Sequence, residues 1–193
     1  AGVELTGRRL TFAAPGRVRE AARTAGVPPS LHAFSHSCNG FELHWQAPGH
    51  PDPDVAGGVR ILSLAQILQD WEGVVYFAGD PADSVWRSFR PVDFFTDERC
   101  VGIFTGEHAD DSLHLYTFSD DDTVRLDLDL FGYADLLCAA RGFLHWPSAL
   151  ELVRTGRDSV EAERFRSAMP QLFPGFSWPG FVEAYQALRL SAR

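Results

Sequence analysis

Two periods of apolar residues run along this chain, and together they predict an order of elements. In residues 124–130, Val124, Leu126, Leu128 and Leu130 alternate with Arg125, Asp127 and Asp129. Period two predicts a strand with one covered face, because successive strand side chains point to opposite sides. Phe41, Leu43 and Trp45 alternate in the same way with Glu42 and His44. Shorter runs predict strands within residues 3–12 and over 59–62, 92–96, 101–105 and 113–118. One covered face with an alternating pattern is the signature of antiparallel pairing. Helical spacing appears elsewhere. Leu31, Phe34 and Cys38 form one stripe, entered through Pro28 and Pro29 and stopped by Asn39 and Gly40. Proline suits a helix entrance because the N–H it lacks has no partner there, and Asn-Gly tolerates the left-handed backbone of a helix end.

Further helices are expected over residues 17–24 and 80–89, and from a Ser63 cap through Leu64, Ile67, Leu68 and Trp71. From Tyr133 the pattern turns helical: Leu136, Leu137 and Ala140 form a stripe ending near Gly142, and helices follow over 146–156, 159–169 and 181–190. Residues 47–58 (APGHPDPDVAGG) and 170–180 (PQLFPGFSWPG) carry clustered Pro and Gly and read as irregular. The order is helices, a central run of strands, then helices. That is an α+β arrangement rather than the strand–helix alternation of a parallel α/β protein. The expected organisation is one α+β domain over residues 1–156, with a helical C-terminal extension, 157–193, packed on it.

Composition changes this picture in a few ways. The chain has 193 residues, 45% of them hydrophobic, with 15 Phe and 5 Trp, enough for one aromatic-rich core. No apolar run is long enough to span a membrane. The net charge is −9 and every basic residue is Arg, which disfavours nucleic-acid phosphate as a ligand and favours a basic protein partner. Three widely spaced cysteines, Cys38, Cys100 and Cys138, without a CxxC, read as free thiols in a reducing cytoplasm. Cys38 and Cys138 are expected among apolar neighbours on helices.

Three blocks resemble the SUKH superfamily, named partly for fungal regulators of cell-wall glucan synthesis. They are VPPSLHAFSHSCNGFELHW from Val27, the strand and helix of residues 59–71, and LHLYTFSDDDTVRLDLDLFGYADLLCAARGFL from Leu113. Family members often end soon after the helix that closes the third block, whereas this chain continues to Arg193. The resemblance implies a mixed, mainly antiparallel sheet flanked by helices. For a bacterial protein it implies cytoplasmic immunity: direct binding that neutralises a toxin domain, often a nuclease. A regulatory or scaffolding role linked to envelope synthesis is the alternative, and a small hydrolase with an acidic site is a third.

The candidate chemistry lies in three places. Glu107, Asp110, Asp111, Asp120, Asp121 and Asp122 fall in two polar loops bracketing one strand, GEHADDS and SDDDT. Turns favour Asp because its side chain bonds nearby backbone N–H groups; the sharper reading is steering of a basic partner from two acidic rims. His108, Asp110, Asp111 and His114 are metal-ligand types, but their spacing matches no known site, and an extended strand would point His114 away from the loop. Cys38 lies near His36 and Asn39, yet residues 36 and 38 of one helix point in different directions. No Walker loop, GxSxG, HExxH or GxGxxG occurs. No metal, cofactor or catalytic residue is therefore assigned. The aromatic segment 173–181 (FPGFSWPGF) either pins the last helix to the core or presents Phe176 and Trp178 to a partner.

Overall fold

The structure, a computed structural model, describes residues 2–10, 28–110, 112–117 and 122–193. The helix expected over 17–24 lies outside the described residues, as do Asp111, Phe118, Asp120 and Asp121. Seven strands form one sheet in chain order: β1 (Glu4–Leu10), β2 (Phe41–Gln46), β3 (Ala56–Ile61), β4 (Phe89–Phe94), β5 (Arg99–Phe104), β6 (His114–Thr117) and β7 (Asp122–Arg125). Each neighbouring pair is antiparallel, so the sheet is not mixed. Six α-helices accompany it among the described residues: α1 (Pro29–Ser37), α2 (Leu64–Ile67), α3 (Leu130–Ala139), α4 (Trp146–Thr155), α5 (Val160–Leu172) and α6 (Trp178–Leu188). The fold class is α+β, with a helical C-terminal region.

The register explains how the layers form. Ile61 opposes Asp93, Asp93 opposes Val101, and Val101 opposes Leu115, so these side chains share one face. Helices α3 and α4 cover that face: Tyr133 donates to the Asp93 carboxylate at 2.8 Å, and Arg99 reaches Ser148 Oγ at 2.9 Å. On the other face, Phe89, Phe104 and Tyr116 pack with Trp86, their ring centroids 5.0–6.3 Å apart. Both faces of β5 are thus buried, and its residues read as a continuous apolar run rather than an alternation.

Local signals place several elements as expected. Pro28 caps α1 and Pro29 opens it, while Gly40 takes the positive φ of 105° that turns the chain into β2. Asn39 does more than stop the helix: its side chain accepts the Leu64 N–H at 2.8 Å and so ties α1 to α2. Ser63 and Gln66 form a capping box at α2.

Other expectations need correction. Helix α2 is a single turn, and Trp71 lies beyond it, bonded from its indole to Ile67 O. Residues 80–89 hold only a short 3-10 turn, Val85–Ser88. Strand β3 begins at Ala56, inside the glycine-rich loop. The Trp45 ring lies so close over Gly57 that a Cβ there would stand 1.9 Å from the indole nitrogen, so glycine is required for packing rather than for a turn. Helix α5 runs through Pro170 to Leu172 and α6 starts at Trp178, which leaves only residues 173–177 irregular. Cys138 is exposed rather than set among apolar neighbours.

The strand expected over 124–130 ends at Arg125. Leu126 and Leu128 still meet Leu113 through backbone hydrogen bonds, but Asp127 between them has φ 60° and turns the chain. Asp127 and Asp129, which the alternation puts on one solvated or salt-bridged face, are both salt-bridged, to Arg189 and Arg193. Asp127 is 2% exposed and accepts Arg189 Nε at 2.8 Å and Ser191 Oγ at 2.5 Å, while its carbonyl accepts the Leu190 N–H at 2.8 Å. Asp129 caps α3 through Gly132 N and meets Arg193 at 2.6 Å. Burial pushes the Asp127 carboxyl up, but the Ser191 hydroxyl and the Arg189 and Arg154 charges outweigh it and hold it below the usual range. Its surface is covered, yet it lies shallow, beneath the C-terminal residues rather than deep in the core. Replacing Arg189 with Ala removes a charged hydrogen bond to this carboxylate, and is expected to cost about 1.5–3 kcal/mol in chemical denaturation. Arg189→Lys should recover only part of that loss.

Candidate functional site

The β6–β7 hairpin sets the geometry of the acidic loops. His114 opposes Arg125 at one end and Thr117 opposes Asp122 at the other, so Asp110 and Asp122 sit at opposite ends of the strands. At the first end, Glu107 is exposed on the short 3-10 turn Gly106–His108. Asp110 is not free. Its two oxygens lie 3.3 Å from His114 Nε2, and Arg125 Nε lies 3.4 Å from one of them. His114 thus points toward the loop, contrary to the expectation from an extended strand, because the chain folds back through Ser112, which donates its N–H to Asp110. Burial pushes the His114 imidazole down, against the Asp110 charge that pulls it up. Among the described residues no three His, Cys, Asp or Glu side chains come together as a metal site.

At the second end the structure assembles a cleft of about 370 Å³ between the hairpin and helices α4 and α5. Asp122 contributes to it, with Glu98, Glu151 and Glu161 from β5's approach, α4 and α5. Four carboxylates face two guanidiniums, Arg99 and Arg157. Arg99 is committed to the wall: it donates to Thr117 Oγ1 at 3.2 Å and Ser148 Oγ at 2.9 Å, and lies 3.4 Å from Glu151. Burial opposes ionisation of Glu161. Its own backbone N–H, the Ser159 hydroxyl, and the charges of His145 and Arg99 outweigh burial and hold the carboxyl below its ordinary range. Glu161 therefore brings a charged carboxylate to the cleft at neutral pH.

Of the sequence candidates, only Asp122 enters this cleft. Its main partners were not singled out, since Glu98, Glu151 and Glu161 come from three separate elements and no linear spacing links them. The polar face of α4, where Glu151 follows a buried Ser148-Ala149-Leu150 run, is the one local trace of it.

The aromatic segment has a different role. Phe176 and Trp178 are half-buried and ring Phe165, with centroids at 5.4 and 6.4 Å, and Trp178 stacks on Phe181 at 6.0 Å. One side of Phe176 still lines an open, largely apolar hollow of about 460 Å³ with Phe173, Phe181 and Arg141. The segment pins α6 to the core first. Cys38 and Cys100 offer no activated thiol: burial pushes Cys38 up, with only the Gly40 N–H pulling it back, and burial pushes Cys100 well up.

No family profile, curated protein or solved structure matches the chain. No helix among the described residues is long and apolar enough to cross a membrane.

Proposed function

We propose that the protein is a non-enzymatic binding module, an immunity protein that neutralises a basic toxin domain in the cytoplasm by direct contact. The observation that carries this reading is the cleft in which Asp122, Glu98, Glu151 and Glu161 converge on a chain of net charge −9. A lysine- or arginine-bearing segment of a partner would find Asp122, Glu98 and Glu161 there beside the Arg99-paired Glu151, carried by a hairpin strand, the β4–β5 turn and two helices. Such a surface speeds encounter with a cation and fixes its orientation. The SUKH resemblance supports the same reading, because that family in bacteria is one of toxin-binding immunity proteins.

The test looks for a toxin domain encoded beside this gene and measures its association kinetics with the protein at two salt concentrations. Glu98→Arg with Asp122→Arg changes two exposed positions and leaves the buried partners of Arg99 alone. The expected outcome is an on-rate at least tenfold slower at low salt, with the difference shrinking as salt screens the field. An unchanged on-rate, or a loss of binding that salt does not affect, would count against the cleft as the docking surface.

A further inference from the structure

The face of β1–β3 opposite helices α3 and α4 carries a feature opposite in sign to the cleft. Register places Arg9 of β1 opposite Glu42 of β2, and Glu42 opposite Arg60 of β3, so the three side chains stand in one row. The bland expectation for such a row is mutual neutralisation. It does not occur. Glu42 turns to His44, with 3.0 Å between Oε1 and Nε2, and the Arg60 guanidinium lies over the Phe94 ring at 4.9 Å. Among the described residues, neither Arg9 nor Arg60 meets a carboxylate within ion-pair distance.

This row forms the floor of a groove of about 440 Å³. Its wall is α2 and the residues after it, with the amides of Gln66 and Gln69 and the edge of Trp71. Leu62 supplies apolar surface beside the charges, whereas the Ile61 and Phe41 side chains point to the helix-covered face. Neighbouring strands are about 4.8 Å apart, so Arg9 and Arg60 flank Glu42 at about 10 Å between backbones. That span is within the combined reach of two arginine side chains, each with five N–H donors in a fixed fork. A local excess of positive charge on a chain of net charge −9 is a selective feature, because it attracts anions where the net charge does not.

We propose that this groove is a binding site for a small organic anion, a phosphate or carboxylate group joined to a compact apolar body. The oxyanion lies between Arg9 and Arg60, the apolar body lies along Trp71 and Leu62, and the Gln69 amide supplies a neutral hydrogen bond. Glu42 opposes the charge and sets the affinity low, in keeping with a reversible ligand. The site is separate from the acidic cleft in both residues and charge.

Titration calorimetry with phenyl phosphate and with benzoate, against a constant chloride background, tests it. The wild-type chain is expected to bind at least one of the two. Arg9→Gln with Arg60→Gln should weaken that binding at least tenfold, with the native circular dichroism spectrum retained because both side chains are exposed. Glu42→Gln should strengthen it several-fold, a gain that misfolding cannot mimic. Phenyl phosphate binding alone marks the site as a phosphate site, and benzoate binding alone marks it as a carboxylate site. No heat with either ligand, or equal affinity in the arginine variant, would overturn the proposal.

Discussion

A chain ending at Gly156 is expected to be insoluble or unfolded, not a stable domain that has lost an appendage. Helices α5 and α6 contribute Phe165, Met169, Phe181 and Tyr185 to the interior, each 3% exposed or less. Phe165 touches Phe143, Phe176 and Phe181, with ring centroids 5.1–5.9 Å apart around this cluster. Tyr185 donates to Leu126 O at 2.8 Å, so α6 also holds the segment that leaves β7. Removing the two helices would expose Phe143 and Trp146, both fully buried, and would free the Asp127 carboxylate from Arg189 and Ser191. Net stabilities of domains this size are about 5–15 kcal/mol, and burying one large apolar side chain contributes about 1.5–3 kcal/mol. The loss of several such side chains consumes that margin. Phe165→Ala is the finer test, expected to cost about 3–5 kcal/mol in urea or guanidinium denaturation. A truncated chain that is soluble and cooperatively folded, but has lost partner binding, would instead make the extension an interface element.

Helix starts were the most legible part of the fold, because their signals are local. Pro28-Pro29, Ser63 and Ser159 mark the entrances of α1, α2 and α5 through backbone geometry or one side-chain acceptor. Alternation was less reliable where one residue breaks phase. Leu126 and Leu128 are buried as the 124–130 pattern requires, but the left-handed Asp127 between them serves the C-terminal residues, more than sixty positions away in the chain. Gly57 shows the reverse error, since a glycine that admits Trp45 looks in sequence like one that makes a turn. The acidic loops around β6 were legible as charge, and Asp122 as a contributor to a surface. The cleft itself was not, because Glu98, Glu151 and Glu161 come together only through the sheet-on-helix packing. The Arg9–Glu42–Arg60 row needed the strand register, which alternation within single strands does not provide.

Asp93 carries the second large effect, and its sign is opposite to that of most acidic residues. It is fully buried on the helix-covered face, accepting the Arg60 N–H and the Tyr133 hydroxyl, each at 2.8 Å. Burial pushes its carboxyl up from 3.8 to about 6, against the pull of those two hydrogen bonds and the Arg60 charge. A carboxyl raised in the folded state favours folding when protonated. Its contribution is complete below about pH 4, where both states hold the proton, and is lost as pH rises through about 6. A rise of about two pH units corresponds to about 3 kcal/mol. Asp93→Asn keeps an oxygen for the Arg60 N–H and presents an amide that the Tyr133 oxygen can accept, but it never ionises. The difference in unfolding free energy between variant and wild type should therefore grow in the variant's favour by about 3 kcal/mol from pH 4 to pH 7.5. Comparing the two chains at each pH cancels the titration of every other group. Tyr133→Phe removes one hydrogen bond to the charged form, so it should move the wild-type transition to higher pH. Parallel stability curves for wild type and Asp93→Asn across this range would show that the buried carboxyl does not titrate there.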